Sequence, residues 1–168
     1  TGTITKGEPH VTDIIPIDGT KESLLQFAFT VEARSEHPLA KAINTYADER
    51  KIKAFECEDF KVNTGQGVTA VYDGRVIEGG SVKYIGTKVF IDDNTRKIAE
   101  ELSDEGKTPL AFTYDGRLLG MIAVADVLKD DSREAIAELK DMGVRVVMLT
   151  GDNAKTAAAI GKQAGVDE

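Results

Sequence analysis

Apolar and polar positions alternate from His10 to Ile15, which predicts a strand. The period then lengthens to that of a helix over Lys21 to Arg34, with Leu24, Leu25, Phe27, Ala28 and Val31 on one face. A second helical pattern begins at Pro38, carries Leu39, Ile43 and Tyr46 inward, and runs out in the charged stretch Asp48-Glu49-Arg50-Lys51. Strand-like spacing returns at Phe55 to Val62. Val68 to Tyr72 and Arg75 to Glu78 form a hairpin on Asp73-Gly74, a dipeptide suited to a tight two-residue turn. Ser81 to Ile85 reads as a short helical turn. A helix from Asp92 or Asp93 to about Asp104 faces inward with Ile98, Ala99 and Leu102. A second hairpin joins Leu110–Tyr114 to Leu118–Val124 around Asp115-Gly116. The last third has a different character. A helix follows Asp131-Ser132, with Ala135, Ile136, Leu139 and Met142 on one face, and Gly143 stops it as a left-handed cap. Val144 to Leu149 is almost continuously apolar, as in a parallel strand covered on both faces. Thr150-Gly151-Asp152-Asn153 then leads into a helix from Ala154 to Ala164, closed by Gly165.

The expected fold therefore combines α+β and α/β parts. An antiparallel sheet with helices, residues 14–122, is inserted into a partial parallel α/β domain made of residues 1–13 and 123–168. Of the 168 residues, 41% are hydrophobic and 30% charged, which indicates a globular chain. The net charge of −8 argues against a nucleic-acid or anionic-membrane surface, but leaves room for a small anion held by a few local donors. The single cysteine, Cys57, excludes an internal disulfide and reads as a buried or half-buried thiol. His10 reads as a surface strand residue. His10, His37 and Cys57 do not have metal-ligand spacing, so no metal site is expected. No apolar run reaches membrane-spanning length and no signal peptide is visible. The chain starts at Thr1 without a methionine and reads as a piece of something larger.

The stretch with most chemical content is Ser35-Glu36-His37-Pro38-Leu39-Ala40. Ser35 is placed to cap the second helix, and Pro38 suits its first turn. Glu36 and His37 would then stand at a helix mouth. A carboxylate accepts hydrogen bonds, and an imidazole can accept, donate or stack, so the pair suits an adenine with its exocyclic amine and flat face. Taken alone, the stretch reads first as a capped helix start with two solvated side chains, and the rest of the chain reverses that order. Gly65 and Gly67, and after them Gly79 and Gly80, interrupt sheet patterns and mark close backbone approach. Gly65 to Ala70 matches a dinucleotide fingerprint in letters but leads into a strand rather than a helix. Gly106-Lys107-Thr108 lacks the first glycine of a phosphate loop, since Glu101 stands there. The hydroxyl- and glycine-rich segment Thr1 to Gly7 could present donors to an anion.

Taken in order, these motifs resemble the cytoplasmic ATP-binding region of P-type cation-transporting ATPases. Thr1-Gly2-Thr3-Ile4-Thr5 is similar to the segment just after that family's phosphorylated aspartate. Asp126-Val127-Leu128-Lys129 resembles the hinge, and Met148-Leu149-Thr150-Gly151-Asp152-Asn153 the phosphate-side loop. Ser35-Glu36-His37-Pro38-Leu39 and Gly65-Gln66-Gly67 resemble signatures of the heavy-metal (type IB) branch. The resemblance implies a nucleotide-binding domain inserted into a haloacid-dehalogenase-like phosphorylation domain. It implies ATP or ADP as ligand, with Glu36 and His37 at the adenine, Gly65 and Gly67 against base or ribose, and Gly79 and Gly80 along ribose and phosphates. Thr1, Gly2 and Thr3 on one side and Thr150, Gly151 and Asp152 on the other would meet the phosphoryl group, with Asp126 and Lys129 at the hinge.

For the complete protein, the resemblance implies ATP-driven phosphorylation of an aspartate with Mg2+. It also implies cation movement across a membrane, with copper favoured, and transmembrane and actuator domains as partners. This region would lie on the cytoplasmic face, with the plasma membrane the expected location. The nucleophilic aspartate would precede Thr1 and a second magnesium-binding aspartate would follow Glu168, so the chain by itself is expected to bind nucleotide without forming a phosphoenzyme. Alternatives are the same region of a zinc-, cadmium- or lead-transporting ATPase, a soluble dehalogenase-like phosphatase, an adenine-nucleotide sensor, and the potassium-importing branch. The last lacks the Ser-Glu-His-Pro pattern.

Overall fold

The computed structural model describes residues 2–63, 65–151 and 153–168. Thr1, Thr64 and Asp152 lie outside the described residues. Six strands form one sheet in the order β1-β6-β5-β4-β3-β2, and every neighbouring pair is antiparallel. They are β1 (His10–Pro16), β2 (Glu58–Asn63), β3 (Gly67–Tyr72), β4 (Arg75–Ser81), β5 (Thr108–Tyr114) and β6 (Arg117–Ala125). Both Asp-Gly turns form as the sequence predicts. Asp73 and Gly74 have φ of 49° and 70°, and Asp115 and Gly116 have φ of 51° and 71°, the pair of positive values that joins twisted strands tightly.

Alternation along the strands sends successive side chains to opposite faces of this sheet. On one face Ile77, Leu110, Phe112, Ile122 and Val124 meet α1 (Lys21–Glu32) and α2 (Pro38–Glu49), which contribute Leu24, Ala28, Val31 and Ile43, all essentially inaccessible. On the other, Ala111 and Met121 meet the smaller cluster of Ile85, Ile91 and Ala99 from α3 (Val82–Ile85), α4 (Asp93–Asp104) and the loop between them. Each large apolar side chain buried this fully contributes roughly 1.5–3 kcal/mol. Thr20 starts α1 with a reciprocal capping box to Ser23, and Asp92 caps α4 through Thr95.

The remaining helices are α5 (Ser132–Asp141) and α6 (Ala154–Ala164). Gly143 (φ 80°) ends the turn after α5 and Gly165 (φ 85°) caps α6, as expected. α6 docks on the sheet unit through Thr156, whose buried hydroxyl donates to the Lys107 carbonyl at 2.7 Å, and through a Lys155–Glu100 ion pair at 3.1 Å. The expected strand Val144–Leu149 does not form. The segment makes two backbone bonds to the chain end, Asp167 N to the Val146 carbonyl and Met148 N to the Glu168 carbonyl, and joins no sheet. Val147 is 49% and Leu149 93% exposed, because a parallel strand needs neighbours on both sides and the described residues supply none. For the same reason α5 buries only Ile136 of its expected face, while Met142 is 77% exposed. β2 starts at Glu58, not Phe55, after an irregular approach. The boundaries expected at 13/14 and 122/123 fall inside the paired strands β1 and β6, so the sheet runs from His10 to Ala125.

Candidate functional site

The second helix begins at Pro38 as the sequence suggests, but its cap lies two residues later than expected. Its N-cap is His37, not Ser35: the His37 Nδ1 accepts from the Leu39 N–H at 3.2 Å, with Pro38 following at the first helical position. A ring nitrogen that accepts carries no proton, so the ring proton sits on Nε2, which is left as a donor. Ser35 is buried below this cap. Its hydroxyl accepts from the His37 N–H at 3.4 Å and hydrogen-bonds the side chain of Glu32.

Glu32 is the residue the sequence reading passed over. It ends α1, is only 6% exposed, and burial pushes its carboxyl up to about 7, with the Ser35 hydrogen bond working in the opposite direction. The signal was present in the helical spacing: Leu24, Ala28 and Glu32 are one row at four-residue intervals, and the last of them is acidic on an otherwise apolar face.

Glu32, Ser35 and His37 border a cavity of about 1130 Å3. Gly65, Gly67 and Gly80 form an adjoining part of its wall, and Thr3, Thr150 and Gly151 line it too. One open space therefore connects the mouth of α2 with the mouth of α6, where Asn153 Oδ1 accepts from the Thr156 N–H at 2.9 Å. Gly67 and Gly80 are direct partners across β3 and β4. A Cβ on Gly67 would stand 2.1 Å from the Gly79 carbonyl oxygen, and one on Gly80 would stand 2.5 Å from that of Gln66. Backbone crowding inside the sheet already requires glycine at both places. Gly65 (φ 73°) sits at the open tip of the β2–β3 turn.

Three expected members, Gly2, Glu36 and Gly79, do not border the cavity. Glu36 is exposed and does not border the cavity, because the N-cap turn directs the chain so that Glu32, four residues earlier, faces inward instead. Gly79 is buried on the opposite side of β4, where a Cβ would meet the Phe112 ring at 2.6 Å. Of the hinge residues, Asp126 borders the cavity and its carboxylate accepts from the N–H groups of Gly7 (3.2 Å) and Glu8 (3.3 Å). The Lys129 ammonium donates to the Gly2 carbonyl at 3.2 Å. Backbone bonds from Lys6 N to the Val127 carbonyl (2.8 Å) and from Lys129 N to the Ile4 carbonyl (3.0 Å) tie the two segments into a short antiparallel crossing. Among the described residues, no three His, Cys, Asp or Glu side chains gather to hold a metal.

The haloacid dehalogenase-like hydrolase family model matches residues 1–168, the whole chain. This chain belongs to that family. Within it, the chain is similar to copper-transporting ATPase 1 of Rhizobium meliloti, 43% identical over all of this chain and 20% of that protein. It is also similar to a copper-exporting P-type ATPase of Bacillus subtilis, 41% identical over 99% of this chain and 21% of that protein. Among solved structures it resembles a zinc-transporting PIB-type ATPase in the E2.Pi state, with 34% identity and a TM-score of 0.72 over 99% of this chain and 27% of that one. The catalytic domain of the CPx-ATPase CopB-B, studied for its conformational changes upon nucleotide binding, gives 28% identity and a TM-score of 0.72 over all of this chain and 56% of that one. The haloacid dehalogenase-like chain thus spans about a fifth of the length of these two curated relatives. No described helix is long and apolar enough to cross a membrane.

Proposed function

We propose that this haloacid dehalogenase-like chain is the adenine-nucleotide-binding cytoplasmic portion of a heavy-metal P-type ATPase, with copper favoured as cargo. The observation that carries the reading is the continuous cavity joining His37, Gly65, Gly67 and Gly80 to Thr3, Thr150 and Gly151. Its two ends suit the two ends of one ligand. At the first, His37 Nε2–H is a donor and a flat ring surface, and Glu32, in place of Glu36, offers a carboxyl oxygen to an exocyclic amine. At the second, the hydroxyls of Thr3 and Thr150 and the N-terminus of α6 suit phosphate oxygens. Gly2 and Lys129 hold the segment that carries Thr3, and Asp126 fixes its far side; Gly79 acts indirectly, by letting β4 pack on Phe112.

In the full protein the nucleotide would be ATP, with ADP as product, and Mg2+ would accompany phosphoryl transfer to an aspartate. The described residues present no magnesium set, so no step is assigned to it. The transmembrane and actuator domains would be partners in the same polypeptide, and this portion would face the cytoplasm. Domain division into a nucleotide-binding unit and a partial phosphorylation unit accords with the single sheet from His10 to Ala125, which α5 and α6 follow in sequence without adding a strand. Copper is favoured as cargo because the named curated relatives, 43% and 41% identical to this chain, are copper transporters.

The test is calorimetry of ATP, ADP and GTP without magnesium. ATP and ADP are expected to bind and GTP not to. His37→Ala removes both the cap and the ring, whereas His37→Asn keeps a strong N-cap and removes only the ring. Loss of at least about tenfold in ATP affinity, some 1.4 kcal/mol, in His37→Asn with an unchanged melting temperature assigns the loss to the ring. Equal ATP and GTP binding, or full ATP affinity in His37→Asn, would overturn the adenine assignment.

A further inference from the structure

The charges around the cavity are not balanced in the way the chain as a whole would suggest. The chain carries −8, yet the described lining holds two permanent cations, Lys83 of α3 and Arg96 of α4, against three carboxyl groups. Each of those carboxyl groups is already answered. Glu32 is buried with Ser35 as partner, Glu100 is paired with Lys155 at 3.1 Å, and Asp126 accepts from Gly7 and Glu8. The two cations are not answered. Neither forms an ion pair among the described residues, although their neighbours do: Lys88 meets Glu78 at 3.5 Å and Lys97 meets Glu101 at 3.9 Å.

Arg96 is also held in place. Its Nε donates to the Ile91 carbonyl at 3.0 Å, which fixes the guanidinium by one edge and leaves the terminal nitrogens to reach a partner. Lys83 stands two residues beyond Ser81 and lines the cavity, as Gly80 does. The cation pair therefore lines the same space as the glycine wall and the mouth of α6.

We propose that Lys83 and Arg96 are specificity-determining residues that hold the polyphosphate of the nucleotide in transit between these two ends, so that the site distinguishes nucleoside di- and triphosphates from the monophosphate. The proposal rests on the adenine-nucleotide reading above. Two positive charges in a concave wall attract a tetravalent anion more than a divalent one, and the attraction is screened by salt. No covalent step is involved.

The experiment is calorimetry with ATP, ADP, AMP and adenosine, without magnesium and at two salt concentrations, on the unmodified chain and on Lys83→Gln, Arg96→Gln, Arg96→Lys and the double glutamine variant. The double variant is expected to lose about tenfold in ATP affinity, roughly the sum of two partly exposed charge contacts, and its salt dependence should become shallower. AMP and adenosine should change less than about twofold, and Arg96→Lys should retain most of the ATP affinity. Lys83 makes no hydrogen bond or ion pair among the described residues, so Lys83→Gln carries the test if replacing Arg96 unsettles α4. ATP binding that survives the double variant, or a loss shared equally by ATP and adenosine, overturns the proposal while leaving the adenine assignment intact. Failure of the unmodified chain to bind any of the four overturns both.

Discussion

Glu32 places a carboxyl at the end of a helix whose last carbonyls already concentrate negative charge, and it is buried there as well. Its folded-state value of about 7 stands above the ordinary 4.5, so between these two pH values the folded chain binds a proton that the unfolded chain has lost. Stability from this group is present in full below pH 4.5 and is lost as pH rises through 7, to a total of about 3 kcal/mol. Urea titrations at pH 5 and pH 8 should show this decline in the unmodified chain and a flatter profile in Glu32→Gln, where the neutral amide stands in for the protonated acid. At this scale the sequence is legible only in part. The Glu-His-Pro letters draw the eye to Glu36, because adjacency in sequence is easily taken for adjacency in space. The helical row Leu24–Ala28–Glu32 carries the inward direction instead. The same turn geometry makes His37, not Ser35, the cap.

Among elements, the alternations and helical stripes between His10 and Val124 place all six strands and the helices α1 to α4, because there the period of apolar residues reports contacts made within the chain. Val144–Leu149 differs. Its apolar run describes what ought to cover it, and among the described residues nothing does, so composition and observed structure part company. The junction of α6 with the sheet unit was not legible at all, since it rests on single polar contacts, the Thr156 hydroxyl and the Lys155–Glu100 ion pair. Thr156 donates to the Lys107 carbonyl and accepts from Asn153 Nδ2 at 2.9 Å, and its side chain is buried. Thr156→Val keeps the shape and strands both partners, and should cost about 1–3 kcal/mol in urea-induced unfolding. Because the Asn153 Oδ1 cap to the Thr156 N–H is untouched, circular dichroism should show α6 retained.

At the scale of the molecule, the sheet unit from His10 to Ala125 and the α5–α6 unit are joined by the segments on either side of β1 and β6. Asp126 holds the first segment through Gly7 and Glu8. Asp126→Ala should speed amide exchange at Gly7 and Glu8 by about tenfold or more, while Leu24, deep in α1, keeps its protection. The two segments are bonded to each other, Lys6 to Val127 and Lys129 to Ile4, with Thr5 and Leu128 paired between them. Two tied passes of chain behave as a ribbon rather than a thread. A thread lets whatever it joins swivel freely; a ribbon flexes across its flat side and resists torsion along its length. About that ribbon, the contacts of Thr156 with the Lys107 carbonyl and of Lys155 with Glu100 set the one tilt at which the two ends of the cavity face each other.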